Sequence, residues 1–189
     1  MNVKKKSILD AATALFSKNG YHAVGVDSIV AKSNVAKMTF YKHYPSKEFL
    51  IESVLFQRDQ DLRDSICAAI DKRRTPKTKI KAIFDWYEEW FAAPDFHGCM
   101  FIKATEEFPD MGVKIREISR NHKAWLEKLL SDLLKECKIK AHGEMAVHIL
   151  MVLDGLTVRS NMFKKEAKDA VKTAWRYVNN MIEAEHQAA

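Results

Sequence analysis

The stretch from Val26 to Leu50, VDSIVAKSNVAKMTFYKHYPSKEFL, gathers Lys37, Met38, Thr39, Tyr41, Lys42, His43 and Lys47 within eleven positions. Ammonium, hydroxyl and imidazole groups suit the oxygens of a polyanion. Lysine can also donate to guanine O6 and N7, and methionine can touch a thymine methyl. Lys37, Met38, Lys42 and His43 are therefore candidate base readers, any of which could equally meet a phosphate backbone. Lys47 falls at the start of a predicted helix, where its charge and the free backbone N–H groups form an anion site together. The plain alternative is that Tyr41 packs inward and Lys47 is merely solvated.

A second constellation, His97 with Cys99, invites a metal or nucleophile reading. No third ligand stands at useful spacing, and a triad would need an orienting partner that the sequence does not offer. Packing is the expected role of both. Neither a metal, a cofactor nor an enzymatic activity is expected, and a redox role for Cys99 would require an exposed thiol of depressed pKa. Cys67, Cys99 and Cys137 are odd in number, far apart and without a C-x-x-C pair, which argues against a disulfide framework or a zinc ribbon.

Charge is unevenly placed. Of the chain's net +6, residues 1–50 hold an excess of five, from eight lysines against three carboxylates. A local excess of this kind suits contact with a polyanion. Lys4, Lys5 and Lys6 read as a mobile basic arm that could follow a backbone or enter a minor groove. With 47% hydrophobic residues and only 6 Gly and 4 Pro among 189 residues, the chain can bury a sizeable core in long helices. No run of apolar residues is long enough to cross a membrane, and the N-terminus lacks the marks of a signal peptide, so a cytoplasmic protein is expected.

The elements that must position these residues follow from periodicity. Ile8, Ala11, Ala12, Leu15 and Phe16 mark one face of a helix over about 3–18, stopped by Asn19-Gly20. A short helix over about 26–32 opens after Gly25 and ends at Ser33-Asn34, since Asn tolerates a left-handed turn. A third helix, about 37–44, must stop before Pro45, and Ser46 caps a long fourth helix over about 47–71. Val26, Ile29, Val30, Val35, Phe40 and Tyr44 are expected to share a small core with Leu15 and Phe16. The third helix, held at an angle by the second, could then enter a major groove of double-stranded DNA.

Beyond the polar stretch DKRRTPKTK, helices are expected at about 76–92, 98–107, 112–136, 142–163 and 166–186. Thr75-Pro76 supplies a cap and a first-turn proline. The fold class is all-α, with about nine helices. An N-terminal three-helix helix-turn-helix domain, residues 1–48, is joined by the long fourth helix to a C-terminal helical domain, residues 49–189.

Ile8, Ala11, Ala12, Leu15, Phe16, Gly20, Val26, Ile29, Val35, Thr39, Tyr41, Ser46, Lys47 and Leu50 form a fixed pattern, with TFYKHYPSKEFL its strongest part. On these residues the segment 5–54 resembles the N-terminal domain of the TetR family of bacterial transcriptional regulators. The resemblance implies that Tyr41 and Lys47 contact phosphates and that Thr39 meets a phosphate or a base. It also implies a homodimer, a palindromic operator, repression, and a small-molecule effector. Three positions depart from the family pattern. Asn34 stands where Gly is usual, Ala36 where Ser often caps the recognition helix, and Val24-Gly25 where Thr-Ser often begins the second helix. HGCMFIKATEEFPD and LDGLTVRS match the family more loosely.

In the second domain, aromatic residues cover more than one face of the helix holding Trp86 and Trp90, which suits a central helix or a cavity wall. With the resemblance, this gives an apolar or aromatic effector a pocket among Trp86, Trp90, Met100, Trp125 and Met151. Lys103 and His122, with Glu106 and Asp154, are candidates to orient it. Leu153, Leu156 and Met162 on one helix, with Val171, Ala174, Trp175, Val178, Met181 and Ile182 on the last, are the candidate dimer stripes. Gly155 and Ala174 would permit close approach. Two other readings remain at this stage: a helical protein-interaction module without DNA binding, and a small enzyme using His97 and Cys99.

Overall fold

The computed structural model describes residues 2–109 and 113–187. Among them are nine α-helices and a single 3-10 turn, with no strand. In order these are α1 (Val3–Asn19), α2 (Val26–Ser33), α3 (Lys37–His43), α4 (Lys47–Ile70), α5 (Pro76–Ala92), α6 (Met100–Glu107), α7 (Val113–Glu136), α8 (His142–Met162), the turn Lys164–Glu166, and α9 (Ala167–Gln187).

Local chemistry sets these bounds. The Asn2 side chain accepts the Lys4 N–H at 2.9 Å and starts α1. Lys4, Lys5 and Lys6 therefore lie inside a capped helix, and the mobile arm expected from their charge is corrected. Asn34 takes the left-handed conformation, φ 53° and ψ 43°, between α2 and α3. Ala36 gives α3 no side-chain cap, whereas the Ser46 hydroxyl accepts the Phe49 N–H at 3.1 Å to open α4. Thr75 and Thr78 form a reciprocal capping box with Pro76 in the first turn of α5. α6 starts later than its apolar spacing suggests, because Gly98 has φ +89° and Cys99 is extended.

Packing divides the chain into two compact units. Unit 1 is Met1–Asp61 with Cys99–His122, and unit 2 is Leu62–Gly98 with Lys123–Ala189. The sequence pattern put a boundary after residue 48, whereas the packing groups the first half of α4, α6 and the start of α7 with the N-terminal helices.

The centre of unit 1 is Ile8, Ala12, Phe16, Tyr21, Ile29, Phe40, Tyr44 and Leu50, none of which reaches solvent. Val26, Val30, Val35 and Leu15 pack only partly against it. Tyr21 donates its hydroxyl to the Met100 carbonyl at 2.9 Å, so a loop residue with no periodic signal sits at the centre of the core.

Unit 2 packs α5, α8 and α9 with the later turns of α4 and α7. Its core holds Ile66, Ile80, Ile83, Phe84, Tyr87, Leu126, Leu130, Leu134, Ile149, Leu153, Val178 and Ile182. Here the expected dimer stripes are corrected at five positions. Leu153, Leu156, Val171, Val178 and Ile182 are buried inside the unit, and Ala174, Trp175 and Met181 pack partly against the same core. Only Met162 of that set is openly exposed. An amphipathic helix in a bundle turns its stronger stripe toward its own neighbours, because burial there accompanies folding itself.

Candidate nucleic-acid interface

α3 is seven residues long, and one turn of burial sets its orientation. Phe40 is fully buried and anchors the inner side. At 100° per residue, Lys37, Tyr41, Met38 and Lys42 then share one continuous outer arc. All four are exposed, Met38 to 82%. The Tyr41 ring meets Phe40 edge-on at 5.2 Å while the residue remains 44% exposed, so its hydroxyl end reaches out from an anchored ring. Thr39 and His43 flank the arc and are half-buried.

The electrostatics of this face are local. Lys37 Nζ lies 2.7 Å from Asp27 Oδ1 on α2. The hydrogen bond to that carboxylate and its charge raise the lysine pKa above its ordinary value. Asp27 thus orients Lys37, and this carboxylate is one that a ligand's phosphate would have to displace or tolerate. Lys47, in the first turn of α4, leans toward the His22 carbonyl with Nζ at 3.5 Å. The expected DNA-binding residues therefore belong to one unit: five on α3 that are exposed or at its margin, with His43 beside them and Lys47 at the next helix start.

α6 fixes the turn that precedes α2. The Glu107 carboxylate accepts the Tyr21 N–H at 2.9 Å and the His22 N–H at 2.7 Å, while the His22 ring Nε2 lies 2.7 Å from the Glu107 carbonyl. Lys103 Nζ donates to the Ser17 carbonyl at 2.8 Å, and its burial lowers its pKa. Gly20, at φ +80°, is held so close that a Cβ there would meet Glu107 Oε1 at 2.6 Å. Glu107 was not legible as a functional position, since a carboxylate near a helix end reads as solvated.

The candidate effector residues are divided between the units. Met100, Lys103 and His122 belong to unit 1. Met100 is buried, and His122 is buried with Nδ1 2.8 Å from Asp59 Oδ1 and its ring stacked on Phe101 at 4.0 Å. Asp59 is a buried carboxylate in mid-α4 that the sequence pattern did not single out. Trp86, Trp90, Trp125 and Met151 belong to unit 2. Trp86 meets Trp90 at a tilt, with centroids 5.5 Å apart, and donates its indole N–H to the Ser65 hydroxyl at 2.8 Å. Trp125 lies under the Arg63 guanidinium at 4.9 Å, and Met151 stands 65% exposed on α8. Asp154 is ion-paired with Lys123. Cys99 and Cys137 are buried, and burial raises the thiol pKa of Cys67 and Cys137. Among the described residues, no group of three or more His, Cys, Asp and Glu is placed to hold a metal ion.

A short helix with a polar outer arc, braced by two others and separated from the second by a left-handed turn, defines a helix-turn-helix protein. Residues 8–54 match the family described as bacterial regulatory proteins, tetR family. The HTH-type transcriptional activator FasR of Mycolicibacterium smegmatis is 33% identical over 90 residues, 45% of this chain and 41% of that protein. The HTH-type transcriptional repressor KstR of Rhodococcus jostii is 44% identical over 52 residues, 28% of this chain and 24% of that protein. The chain thus spans less than half the length of these two relatives. A TetR-family transcriptional regulator from Streptomyces coelicolor has the same fold over almost its whole length, with a TM-score of 0.90, 25% identity, and coverage of 96% of this chain and 95% of that one. Residues 8–54 thus match the DNA-binding part of the TetR family, and the chain as a whole shares the fold of a TetR-family regulator.

Proposed function

We propose that the chain is a DNA-binding transcriptional repressor that binds a palindromic operator as a homodimer and answers to a small apolar or aromatic effector. The observation that carries this reading is the exposed arc of Lys37, Met38, Tyr41 and Lys42 on an α3 anchored by buried Phe40. In the major groove that arc would face the base edges, with Lys47 and the Tyr41 hydroxyl on phosphates. The relatives matched are named as regulators, KstR as a repressor, which supports regulation rather than catalysis. No described helix is long and apolar enough to cross a membrane, which supports a cytoplasmic site of action.

One helix-turn-helix reads one half-site, so a palindrome requires two copies. The surface available for pairing is the outer stripe of α8: Met151, Gly155, Val158 and Met162, at i, i+4, i+7 and i+11. A Cβ at Gly155 would meet nothing within 4 Å in its own chain, which leaves room for a partner helix. Exposed Tyr177 on α9 supports the same reading. For the effector, the half-buried Trp86, Trp90 and Trp125 offer an aromatic wall. Its signal would pass along α4 and α7, each of which contributes turns to both compact units. A coupling of a few kcal/mol suffices for a regulator.

The test is selection of duplexes from a random pool by the purified full chain. The reading expects an inverted repeat occupied by two protomers. Failure to enrich any sequence, or occupancy by one protomer, would overturn it.

A further inference from the structure

Unit 1 holds a trough between α1, α4 and α7, open to solvent and about 380 Å³ in volume, within the size range of small-molecule sites. Leu9, Tyr44, Phe49, Phe56 and Ile118 form its apolar lining. Phe49 and Phe56 lie two turns apart on one face of α4 and are 44% and 60% exposed. They are the large apolar side chains that α4 leaves in solvent.

The rim carries unbalanced charge. Lys114 Nζ and Glu52 Oε2 are 3.0 Å apart and offset each other. Lys5, on the same rim, rests its ammonium over the Tyr44 ring, 5.8 Å from the centroid. A single net positive charge thus borders an apolar trough. Two of the remaining polar groups are bonded within α4: the Ser53 hydroxyl donates to the Phe49 carbonyl, and the Gln57 amide donates to Asp61, both at 2.9 Å. The complement of this surface is a molecule with one apolar body and one negative head.

We propose that this trough binds a singly charged apolar carboxylate of the medium-chain alkyl type, its chain against Phe49, Phe56 and Ile118 and its carboxylate at Lys5. The site lies inside the DNA-binding unit and is distinct in residues from the aromatic wall of unit 2. Tyr44, which it would touch, is the residue that ends α3, and its hydroxyl donates to the Lys5 carbonyl at 3.3 Å. The inference does not rest on the chain being a repressor, and its test requires no DNA.

The experiment titrates the full-length ¹⁵N-labelled chain with decanoate below its micellar range, with decanol and decyltrimethylammonium as the neutral and cationic comparators. Saturable amide shifts are expected at Leu9, Phe49, Phe56 and Ile118, with decanoate the tightest of the three and the cation the weakest. Phe56→Glu, at an exposed position, is expected to keep the fold by circular dichroism and weaken decanoate roughly tenfold or more; Lys5→Gln is expected to weaken it about threefold to tenfold. Three outcomes would overturn the proposal. One is shifts confined to unit 2 or absent. Another is equal affinity for all three head groups. The third is a self-association, seen by sedimentation, that Phe56→Glu abolishes, which would make a second copy the occupant.

Discussion

Replacing Glu107 with alanine removes the carboxylate that holds the turn between α1 and α2. Two backbone donors lose their acceptor, the Tyr21 N–H at 2.9 Å and the His22 N–H at 2.7 Å. A hydrogen bond to a charged group contributes about 1.5–3 kcal/mol. Tyr21 is fully buried whereas His22 is exposed, so water can replace much of the second bond and little of the first. The expected cost is about 2–3 kcal/mol, one full bond and a fraction of another. Glu107→Gln keeps one acceptor oxygen without the charge and should cost about half as much. The assay is urea unfolding of the full chain by two probes. All four tryptophans, Trp86, Trp90, Trp125 and Trp175, lie in unit 2, so fluorescence follows that unit while far-ultraviolet circular dichroism follows both. Glu107→Ala should move the dichroism midpoint to lower urea and speed amide exchange at Tyr21 and His22. A change under about 0.5 kcal/mol with unaltered exchange would show that buried Tyr21 alone holds the turn, and would refute the reasoning.

Four further substitutions, at three positions, probe other parts of the account. Asn34 sits at φ 53°, where a β-branched side chain is strained, so Asn34→Val should cost about 1–2 kcal/mol and Asn34→Gly should change stability by less than about 1 kcal/mol, by urea midpoint. Lys138 holds φ 62° just after α7, where the Ile139 N–H bonds the Leu134 carbonyl at 3.1 Å; Lys138→Gly should stabilise unit 2 by up to about 1 kcal/mol in fluorescence-monitored unfolding. Gly155→Leu improves helix propensity and meets open space within the protomer, so it should leave the monomer folded while weakening self-association roughly tenfold in sedimentation equilibrium.

The helices were legible because long, strongly periodic segments declare themselves, and because Gly20, Asn34, Ser46 and Thr75-Pro76 punctuate them with chemistry that has one meaning each. α6 is the instructive exception. The spacing of Met100 and Phe101 extends back through Gly98 on paper, but the positive φ at Gly98 stops the helix short. Periodicity also identifies apolar stripes without saying what covers them. Leu153, Leu156, Val171, Val178 and Ile182 make the strongest stripe on α8 and α9, and it is spent within the chain. The outer stripe of α8 is weaker on any hydropathy scale, since Gly155 and Val158 occupy half of it. Lys4, Lys5 and Lys6 read as an arm because charge runs are usually solvated, whereas Asn2 caps them into α1. Asp59 and Glu107 were invisible for a related reason. A carboxylate on a helix is ordinarily solvated, and nothing local reveals that Asp59 faces His122 or that Glu107 faces a turn some 85 residues earlier in the chain. The α3 face, by contrast, was open to inspection, because seven residues around one buried Phe40 leave few choices of orientation.

Salt dependence of duplex binding tests most directly the claim that α3 and the start of α4 dock on duplex DNA, with Lys47 on its backbone. With the full chain on its selected duplex, the account predicts that log affinity falls linearly with log salt, at a slope of about −0.9 for each phosphate neutralised. Lys47→Ala should weaken binding and flatten that slope by about one unit, while Met38→Ala leaves the slope unchanged and alters sequence preference. Binding that is indifferent to salt, or a slope that Lys47→Ala does not change, would contradict it.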